Sequence, residues 1–170
     1  MEGHVDLLGP AMKVQEELMG VPSFDTPDYS ELFSEEKEMV GKLKKAFLMV
    51  AGGAVQKYGP DLDSHQQLLM AASDILIEIY MAESTILRTE KLAKTNGADK
   101  IKEQIAMAQL YLYQAVDIIT QKGKESIISF AEGDEQRMML MGLRRFTKYT
   151  NMPNIVGLRE MITNKLVAEN

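Results

Sequence analysis

The stretch SHQQLLMAASDILIEIYMAESTILRTEKLAKT, residues 64–95, decides the fold class of this chain. Its apolar side chains recur at intervals of four and three residues, which is the period of one face of an α-helix. The members of this stripe are Leu68, Ala72, Ile75, Ile79, Ala82 and Ile86. Four more apolar residues widen it: Leu69, Leu76, Tyr80 and Leu87. So wide an apolar arc predicts a central helix that its neighbours contact on two sides.

A second long helix is predicted before this stretch. Ser34 has a hydroxyl suited to an N-cap, and Glu35 and Glu36 follow it over the positive end of the helix dipole. The apolar stripe of this helix consists of Met39, Leu43, Phe47, Val50 and Ala54. Gly59-Pro60 ends the helix, because the residue before a proline is pushed out of the helical region.

A third long helix follows the reversal at Asn96-Gly97, two residues that tolerate positive φ. Its period predicts a helix to about Ala131, with Gly123 as a local weak point. The stripe of this helix consists of Ile101, Ile105, Ala108, Leu112, Ala115, Ile119, Ile127 and Phe130.

Two shorter helices are predicted after it. The first begins at Gly133-Asp134, with Asp134 as its cap and Glu135 in its first turn, and runs to about Tyr149. The second follows a turn that contains Pro153 and is capped by Asn154. Its apolar residues are Ile155, Leu158, Ile162 and Leu166.

The N-terminal part has a different character. Ala11 to Met19 is typical of a short amphipathic helix or of the end of a longer one. Residues 20–33 form an extended arm, because Pro22 and Pro27 restrict the residues before them. Four residues could pin the arm to a surface: Phe24, Tyr29, Leu32 and Phe33. We expect residues 1–33 to be a helix tail plus connecting arm and residues 34–170 to be the helical domain. The sequence leaves open whether the arm docks on its own bundle or on a neighbour.

These elements predict an all-α fold, an antiparallel up-and-down bundle of the four-helix kind with an extended N-terminal arm. A length of 170 residues with 45% hydrophobic content suffices for one core. No apolar run approaches the roughly 20 residues of a membrane-spanning helix, and the first residues do not resemble a secretory signal. We therefore expect a cytoplasmic protein.

Composition excludes several kinds of chemistry. The absence of cysteine rules out disulfides, thiolate metal sites and thiol nucleophiles. The net charge of −6 argues against a nucleic-acid partner. The two histidines, His4 and His65, lie far apart and lack the carboxylate spacing of a bundle metal site, and they give little support to a Ser-His-Asp triad. We predict no catalytic, cofactor-binding or metal-ligating residue in this chain.

Two further features have structural interpretations. Some helix carboxylates could approach one another on neighbouring helices, but lone carboxylates of this kind are normally solvated. These carboxylates are Asp74, Glu78, Glu83, Glu103 and Asp117. Gly52-Gly53 lies within an apolar helical pattern, so it indicates close helix packing rather than a phosphate-binding loop.

One segment is basic. Arg137, Arg144, Arg145, Lys148 and Arg159 follow one another without an intervening acidic residue. The favoured interpretation is a solvated face whose charges are partly paired within an acidic domain. The alternative is a contact with an acidic partner surface or with anionic lipid headgroups through the first four residues. The methionine-rich run at residues 138–141 is interpreted as core packing.

Four stretches carry a resemblance to a known family. They are GHVDLLGPAMKVQEELMGVPSF at 3–24, DILIEIYMAESTILRTEKLA at 74–93, FAEGDEQRMMLMGLRRFTKYT at 130–150 and LREMITNKLVAEN at 158–170. The chain resembles the region that follows the catalytic domain in bacterial acyl-CoA dehydrogenases similar to the mitochondrial very-long-chain enzyme. These are patterns of helix surfaces rather than catalytic signatures.

The resemblance implies a parent enzyme that binds FAD and oxidises acyl-CoA to 2-enoyl-CoA in fatty acid β-oxidation. Its catalytic glutamate belongs to a Glu-Gly-Thr-Asn type motif upstream of this region, and Glu132-Gly133-Asp134 does not inherit that role. The implied partners are the catalytic domains of the parent and a second subunit in a homodimer, with contact to an anionic membrane as a further expectation.

Two main hypotheses for the function follow. In the first, the chain is an accessory helical domain of an FAD-dependent acyl-CoA dehydrogenase that serves assembly or membrane positioning. In the second, it is a free-standing helical protein-interaction module. The gene sequence upstream of Met1 separates them, because only the first requires a dehydrogenase body there.

Overall fold

The computed structural model describes residues 7–20 and 29–168, which form six α-helices and no strand. Two short 3-10 turns, Gly59–Ser64 and Ala98–Lys100, connect the long helices. The helices are α1 (Leu8–Met19), α2 (Ser34–Tyr58), α3 (Gln66–Asn96), α4 (Lys102–Phe130), α5 (Gly133–Phe146) and α6 (Ile155–Ala168). The predicted all-α bundle is confirmed.

The three long helices run in alternating directions. Lys37 on α2 pairs with Glu90 on α3, and Lys44 pairs with Glu83, so the two helices are antiparallel. The reversal into α4 uses Gly97, whose φ is 90°, as predicted. α4 lies between the others and packs against α2, α3, α5 and α6.

Two clusters of buried side chains form the core. The first lies between α2, α3 and α4, where the predicted stripes meet, and its larger members are Phe33, Met39, Leu43, Ile75, Ile79, Ile86, Leu112 and Ile119. The second joins α1, α2, α4 and α5, and its larger members are Val14, Met49, Val50, Ile127, Phe130, Met139, Leu143 and Phe146. Burial of each such side chain stabilises the fold by roughly 1.5–3 kcal/mol.

The close helix packing predicted at Gly52-Gly53 is confirmed. A Cβ at Gly52 would overlap the methyl group of Ala11 on α1, and a Cβ at Gly53 would lie 2.7 Å from Met139 Cε. Gly123 on α4 has the same function, since a Cβ there would lie 2.9 Å from Leu143 Cδ1. Gly123 is therefore a packing residue and does not interrupt the helix.

The predictions that Ser34 and Asp134 cap their helices are both wrong. Ser34 is already the first helical residue, and its hydroxyl donates to the Glu31 carbonyl at 2.9 Å instead of capping the helix. Phe33 holds the cap position with a φ of 65°, because its ring is buried in the first core cluster. Asp134 likewise lies inside the helix after Gly133, and its carboxylate contacts Arg137 instead.

The cap at the last helix is confirmed, since Asn154 Oδ1 accepts a hydrogen bond from the Gly157 N–H at 3.1 Å. α5, however, ends at Phe146 rather than near Tyr149. The chain turns there towards the start of α2, where Asn151 donates two hydrogen bonds to the Glu35 carboxylate, at 2.7 and 3.1 Å.

Part of the predicted apolar arc of α3 is not covered. Leu76, Tyr80 and Leu87 are 51%, 67% and 51% exposed, and Leu69 is half-buried. α2 and α4 cover the side of α3 that carries Ile75, Ile79 and Ile86, and the exposed residues only border α2, so the expectation that they widen the buried stripe is wrong. α6 is also largely exposed: it packs against α4, but none of its described residues is buried.

The N-terminal arm is described only in part. Leu32 and Phe33 pack against the first core cluster, which confirms that these two residues pin the arm. Tyr29 donates to the Glu38 carboxylate at 2.5 Å. Pro22, Phe24 and Pro27 lie outside the described residues.

Candidate functional site

The exposed side of α5 carries the basic residues that the sequence singled out. The opposite side is anchored in the second core cluster by Met139, Leu143 and Phe146, each 3% exposed. Because residues three, four and seven positions apart share a helix face, this anchoring turns the basic residues outwards. Arg137, Arg144 and Arg145 lie on this side of α5, Lys148 follows two residues after its end, and all four are exposed.

Few of these charges are paired. Arg137 Nη1 lies 3.1 Å from Asp134 Oδ1, but both side chains are more than four-fifths exposed, so water screens this pair. Within residues 7–20 and 29–168, Arg144, Arg145 and Lys148 have no ion pair. The expected internal pairing is therefore limited to Arg137, and the other three charges face solvent. Arg159 is exposed on α6, outside this group.

The methionines of α5 divide between core and surface. Met139 is buried and Leu140 packs against the second core cluster, as predicted. Met141, however, is 70% exposed and Met138 is 38% exposed, so the interpretation of the run as core packing is wrong for these two. We call the six residues Arg137, Met138, Met141, Arg144, Arg145 and Lys148 the basic α5 face. It combines four cations with two apolar side chains.

The helix carboxylates have partners other than a metal ion. Asp74 pairs with Lys122 at 3.0 Å, Glu83 pairs with Lys44 at 2.6 Å, and Glu78 accepts a hydrogen bond from Tyr111 at 2.9 Å. Burial and the bond to Glu78 raise the pKa of Tyr111 to about 12. No group of residues suited to hold a metal ion occurs in the part of the chain that the structure describes.

The side chains of His65 and Tyr149 are used in packing. His65 stacks on Tyr58 with a ring-centroid distance of 3.6 Å, and His4 lies outside the described residues. Burial raises the pKa of Tyr149 well above the ordinary tyrosine value. Its hydroxyl oxygen is buried without a hydrogen-bond partner among the described residues, beside a hollow of about 160 Å³ lined by Glu35 and Glu36.

The described residues do not fit FAD. A hollow of about 400 Å³ opens between α3 and α4, and Lys122 in its wall is already held by Asp74. A flavin dinucleotide needs an apolar slot for its ring and a helix N-terminus or glycine-rich loop for its phosphates. The first turn of α3 borders this hollow at Gln67 and Leu68, but its wall also carries Asp74, Lys122 and Glu125, so it offers no apolar slot for a flavin ring. Glu132-Gly133 forms an exposed turn at the start of α5, with a Gly133 φ of 58°.

The surface feature that sequence reasoning missed is the exposed apolar side of α3 that borders α2. Hollows of about 290 and 200 Å³ lie between α2 and α3, and apolar side chains line most of both. The apolar residues of their walls are Val40, Phe47, Leu48, Leu76, Ile79, Tyr80, Ile86 and Leu87. The unusual width of the apolar arc was the signal for this surface, although it was interpreted as burial. Among the described helices, none combines the length and apolarity that crossing a bilayer requires.

Comparison with known proteins identifies the family. The sequence matches the family described as "Acyl-CoA dehydrogenase, C-terminal domain" over residues 42–145. A relative in Bacillus subtilis (strain 168), described as "Probable acyl-CoA dehydrogenase", is 36% identical over 169 residues. A crystal structure of an acyl-CoA dehydrogenase complexed with FAD from Bacillus anthracis is 38% identical and superposes with a TM-score of 0.87.

Both comparisons extend over nearly all of this chain and over a minor part of the relative. The match covers 99% of this chain in each case, but only 28% of the Bacillus subtilis protein and 28% of the Bacillus anthracis chain. The similarity therefore concerns one helical domain of a longer protein in each relative. On the family match over residues 42–145, this chain belongs to the acyl-CoA dehydrogenase C-terminal domain family.

Proposed function

We propose that this chain is the non-catalytic C-terminal domain of an FAD-dependent acyl-CoA dehydrogenase and that it serves the assembly of that enzyme. The observation that carries the proposal is the family match, joined to the 28% share of each relative that the chain spans. In this proposal residues 1–33 connect the domain to the catalytic body and residues 34–170 form the domain itself. The enzyme would be cytoplasmic.

The chemistry of such an enzyme would take place outside this chain. An acyl-CoA thioester of fatty acid β-oxidation would be oxidised to the 2-enoyl-CoA, and its two electrons would pass to FAD. Three helix carboxylates have partners within the chain: Glu83 pairs with Lys44, Asp74 pairs with Lys122, and Glu78 accepts a hydrogen bond from Tyr111. The residues of this chain thus support packing rather than catalysis.

The outer side of α6 supports a packing role. Val156, Leu166 and Val167 are 64%, 53% and 71% exposed, and α6 contacts the bundle mainly through α4. A helix with this much uncovered apolar surface gains stability when another protein surface covers it. We propose that α6 docks on the catalytic domains of the enzyme.

A direct experiment tests the absence of catalysis. The purified chain is mixed with FAD, a long-chain acyl-CoA and an electron-accepting dye, and flavin retention and dye reduction are measured. We expect no retained flavin and no dye reduction. Sustained reduction of the dye that depends on the acyl-CoA would overturn the proposal.

A second experiment tests the docking. The dehydrogenase body encoded with this chain is immobilised, and retention of the chain is compared with that of Val156→Lys/Val167→Lys. Ile77→Lys/Tyr80→Lys is the matched control, because it places the same charges on equally exposed positions of α3. We expect the α6 variant alone to lose retention. Equal retention of both variants would rule out docking through α6.

The alternative function, a free-standing helical interaction module, predicts a different outcome. In that case no dehydrogenase body would be encoded in the same gene, and the separately supplied body of a relative would not retain the chain. The gene sequence around Met1 decides between the two functions before any protein is made.

We also propose membrane positioning as a second candidate role. It rests on the basic α5 face, where Met141 is 70% exposed and where Arg144, Arg145 and Lys148 have no ion pair among the described residues. Cations beside apolar side chains on one helix face are typical of segments that lie at an anionic lipid surface. Sedimentation with anionic vesicles tests this role.

A further inference from the structure

α3 exposes more large apolar side chains than any other described helix. Six large apolar side chains on this one helix are between 44% and 67% exposed. They are Met70, Leu76, Ile77, Tyr80, Met81 and Leu87. α2 and α4 cover the side where Ile75, Ile79 and Ile86 are buried, and Leu76, Tyr80 and Leu87 border hollows beside α2. Apolar surface of this extent on a single helix indicates an interaction site.

Seven residues lie on one line along the exposed part of α3, where a second helix could pack. They recur at alternating intervals of four and three residues, and none of them is buried. In order, they are Met70, Asp74, Ile77, Met81, Ser84, Arg88 and Lys91. This spacing keeps one side chain per turn on the same line along the helix, so a second helix can lie along it. Three of the seven side chains, Met70, Ile77 and Met81, are apolar. We call these seven residues the α3 seam.

The charges of the α3 seam are arranged about its middle residue. Asp74 lies seven residues before Met81 and Arg88 lies seven residues after it. Seven residues are about two helical turns, or roughly 10.5 Å along the axis. If two copies of α3 pair in opposite directions with their Met81 residues facing, Asp74 of each copy therefore lies beside Arg88 of the other. A two-fold axis creates this attraction twice.

The rest of the α3 seam is compatible with the same arrangement. The uncharged Ser84 would lie beside Ile77 of the second copy, and Lys91 beside Met70, so like charges do not meet. Glu78 is turned towards α4, where Tyr111 donates to it at 2.9 Å. A parallel arrangement would place Asp74 against Asp74 and Arg88 against Arg88. Charge therefore selects the antiparallel pairing.

We propose that the α3 seam is a homodimer interface, in which it pairs antiparallel with the same seam of a second copy, with Met81 at the two-fold axis. The inference deepens the assembly role proposed above, on which it rests, by naming the surface that joins two subunits. Asp74 keeps its contact with Lys122 through Oδ2, and its side chain is 46% exposed, so it can accept a second cation.

Cysteine cross-linking tests the interface in the chain itself, which contains no native cysteine. Met81→Cys should form a disulfide-linked dimer under mild oxidation, because the two Met81 positions face each other. Met161→Cys on α6 is the matched control, since Met161 is 41% exposed and Met81 is 44% exposed. We expect several-fold more linked dimer from Met81→Cys. Equal amounts from both variants would overturn the proposal.

The direction of pairing has its own test. Met70→Cys and Lys91→Cys lie near opposite ends of the seam, so neither should link to itself, whereas a mixture of the two should give the mixed dimer. Self-linking of each variant without a mixed product would mean parallel pairing and would contradict the proposal.

Charge reversal separates a specific interface from loose apolar association. Arg88→Asp should weaken dimerisation roughly tenfold in sedimentation equilibrium, and Asp74→Arg/Arg88→Asp should restore it. Circular dichroism checks that each variant remains helical, since Asp74 also contacts Lys122. A double variant as weak as Arg88→Asp would refute the pairing.

The outcome is independent of the docking test. If Met81→Cys does not cross-link but the chain still binds the dehydrogenase body through α6, the homodimer inference fails and the assembly role remains. If Ile77→Lys/Tyr80→Lys abolishes retention on that body, the body rather than a second copy covers the α3 seam, and the inference is again overturned.

Discussion

Two glycines of α2 differ in what surrounds them, although both lie within a helix. A Cβ at Gly52 would overlap Ala11 of α1, whereas a Cβ at Gly41 would meet nothing within 4 Å. The sequence predicted close packing at Gly52-Gly53 from the apolar residues on either side. It offered no such signal at Gly41, where glycine costs helix stability without a packing reason.

We therefore expect opposite effects from the same substitution. Gly52→Ala should lower the free energy of unfolding by about 1–3 kcal/mol, because α1 must move away from α2. Gly41→Ala should raise it by about 0.5–1 kcal/mol, the usual preference for alanine in a helix. Urea denaturation followed by circular dichroism measures both. Equal destabilisation by the two variants would argue against the contact between α1 and α2.

Tyr111 makes stability depend on pH at the alkaline end. A tyrosine in the unfolded chain loses its proton near pH 10, but the pKa of Tyr111 in the folded chain is raised to about 12 by burial and by its bond to Glu78. The contribution of the protonated hydroxyl is therefore complete below pH 10 and is lost as the pH rises towards 12. Tyr111→Phe removes this contribution.

The prediction concerns the difference between the two proteins, since lysines also titrate in this range. At pH 8 the native chain should be more stable than Tyr111→Phe by about 1 kcal/mol, the usual value of one hydrogen bond. This advantage should shrink between pH 10 and 12. Urea denaturation at pH 8, 10 and 11.5 measures it, and a constant difference would mean that Tyr111 is not coupled to folding.

At the scale of the helices, periodicity predicted which residues face inwards but not how much of each face a neighbour covers. Ile75, Ile79 and Ile86 are buried as expected, because they lie at the middle of the apolar arc of α3. Tyr80 and Leu87 lie at one edge of that arc and remain exposed. Two packed neighbours cover only part of a helix, and a single sequence does not reveal which part.

Helix ends depended on contacts that a local pattern does not contain. Ser34 has the right side chain for a cap, but the buried ring of Phe33 sets where α2 begins. Asn154 was predicted correctly because its partner, the Gly157 N–H, is three residues away. Local caps are therefore predictable when no buried side chain competes for the same turn.

The exposure of α6 leads to a prediction about the whole helix. Among the described residues 155–168, removal of the segment 155–170 takes away only half-buried and exposed side chains, and it also removes the entropy cost of ordering a helix. By contrast, Ile119 is 0% exposed, and Ile119→Ala should cost about 2–5 kcal/mol through the cavity it leaves. We expect the truncation to cost less than Ile119→Ala in urea denaturation. The reverse order would show that α6 is an integral part of the core.

At the scale of the whole molecule, net charge and local charge point in opposite directions. The chain carries a net charge of −6, which by itself predicts repulsion from an anionic surface. Yet the basic α5 face gathers four cations, of which Arg144, Arg145 and Lys148 are unpaired within the described residues. At physiological salt, charges are screened beyond roughly 8 Å, so a surface that approaches α5 senses mainly this face. The sequence predicted the cations, but only the structure shows that Met138 and Met141 are exposed on the same helix.

This contrast gives a prediction that compares two variants with the same total charge. Arg144→Gln/Arg145→Gln and Lys100→Gln/Lys102→Gln each remove two positive charges, but only the first pair belongs to the basic α5 face. Each cation near an anionic lipid surface contributes about 1 kcal/mol, so the first variant should bind phosphatidylserine vesicles at least tenfold more weakly than the native chain. The second should bind like the native chain, because Lys100 ends the 3-10 turn before α4 and Lys102 begins α4, outside the basic α5 face. Sedimentation with vesicles at low and high salt measures the binding, which salt should weaken. Equal loss in both variants would mean that net charge rather than the basic α5 face governs membrane contact, and binding that salt does not change would exclude an electrostatic origin.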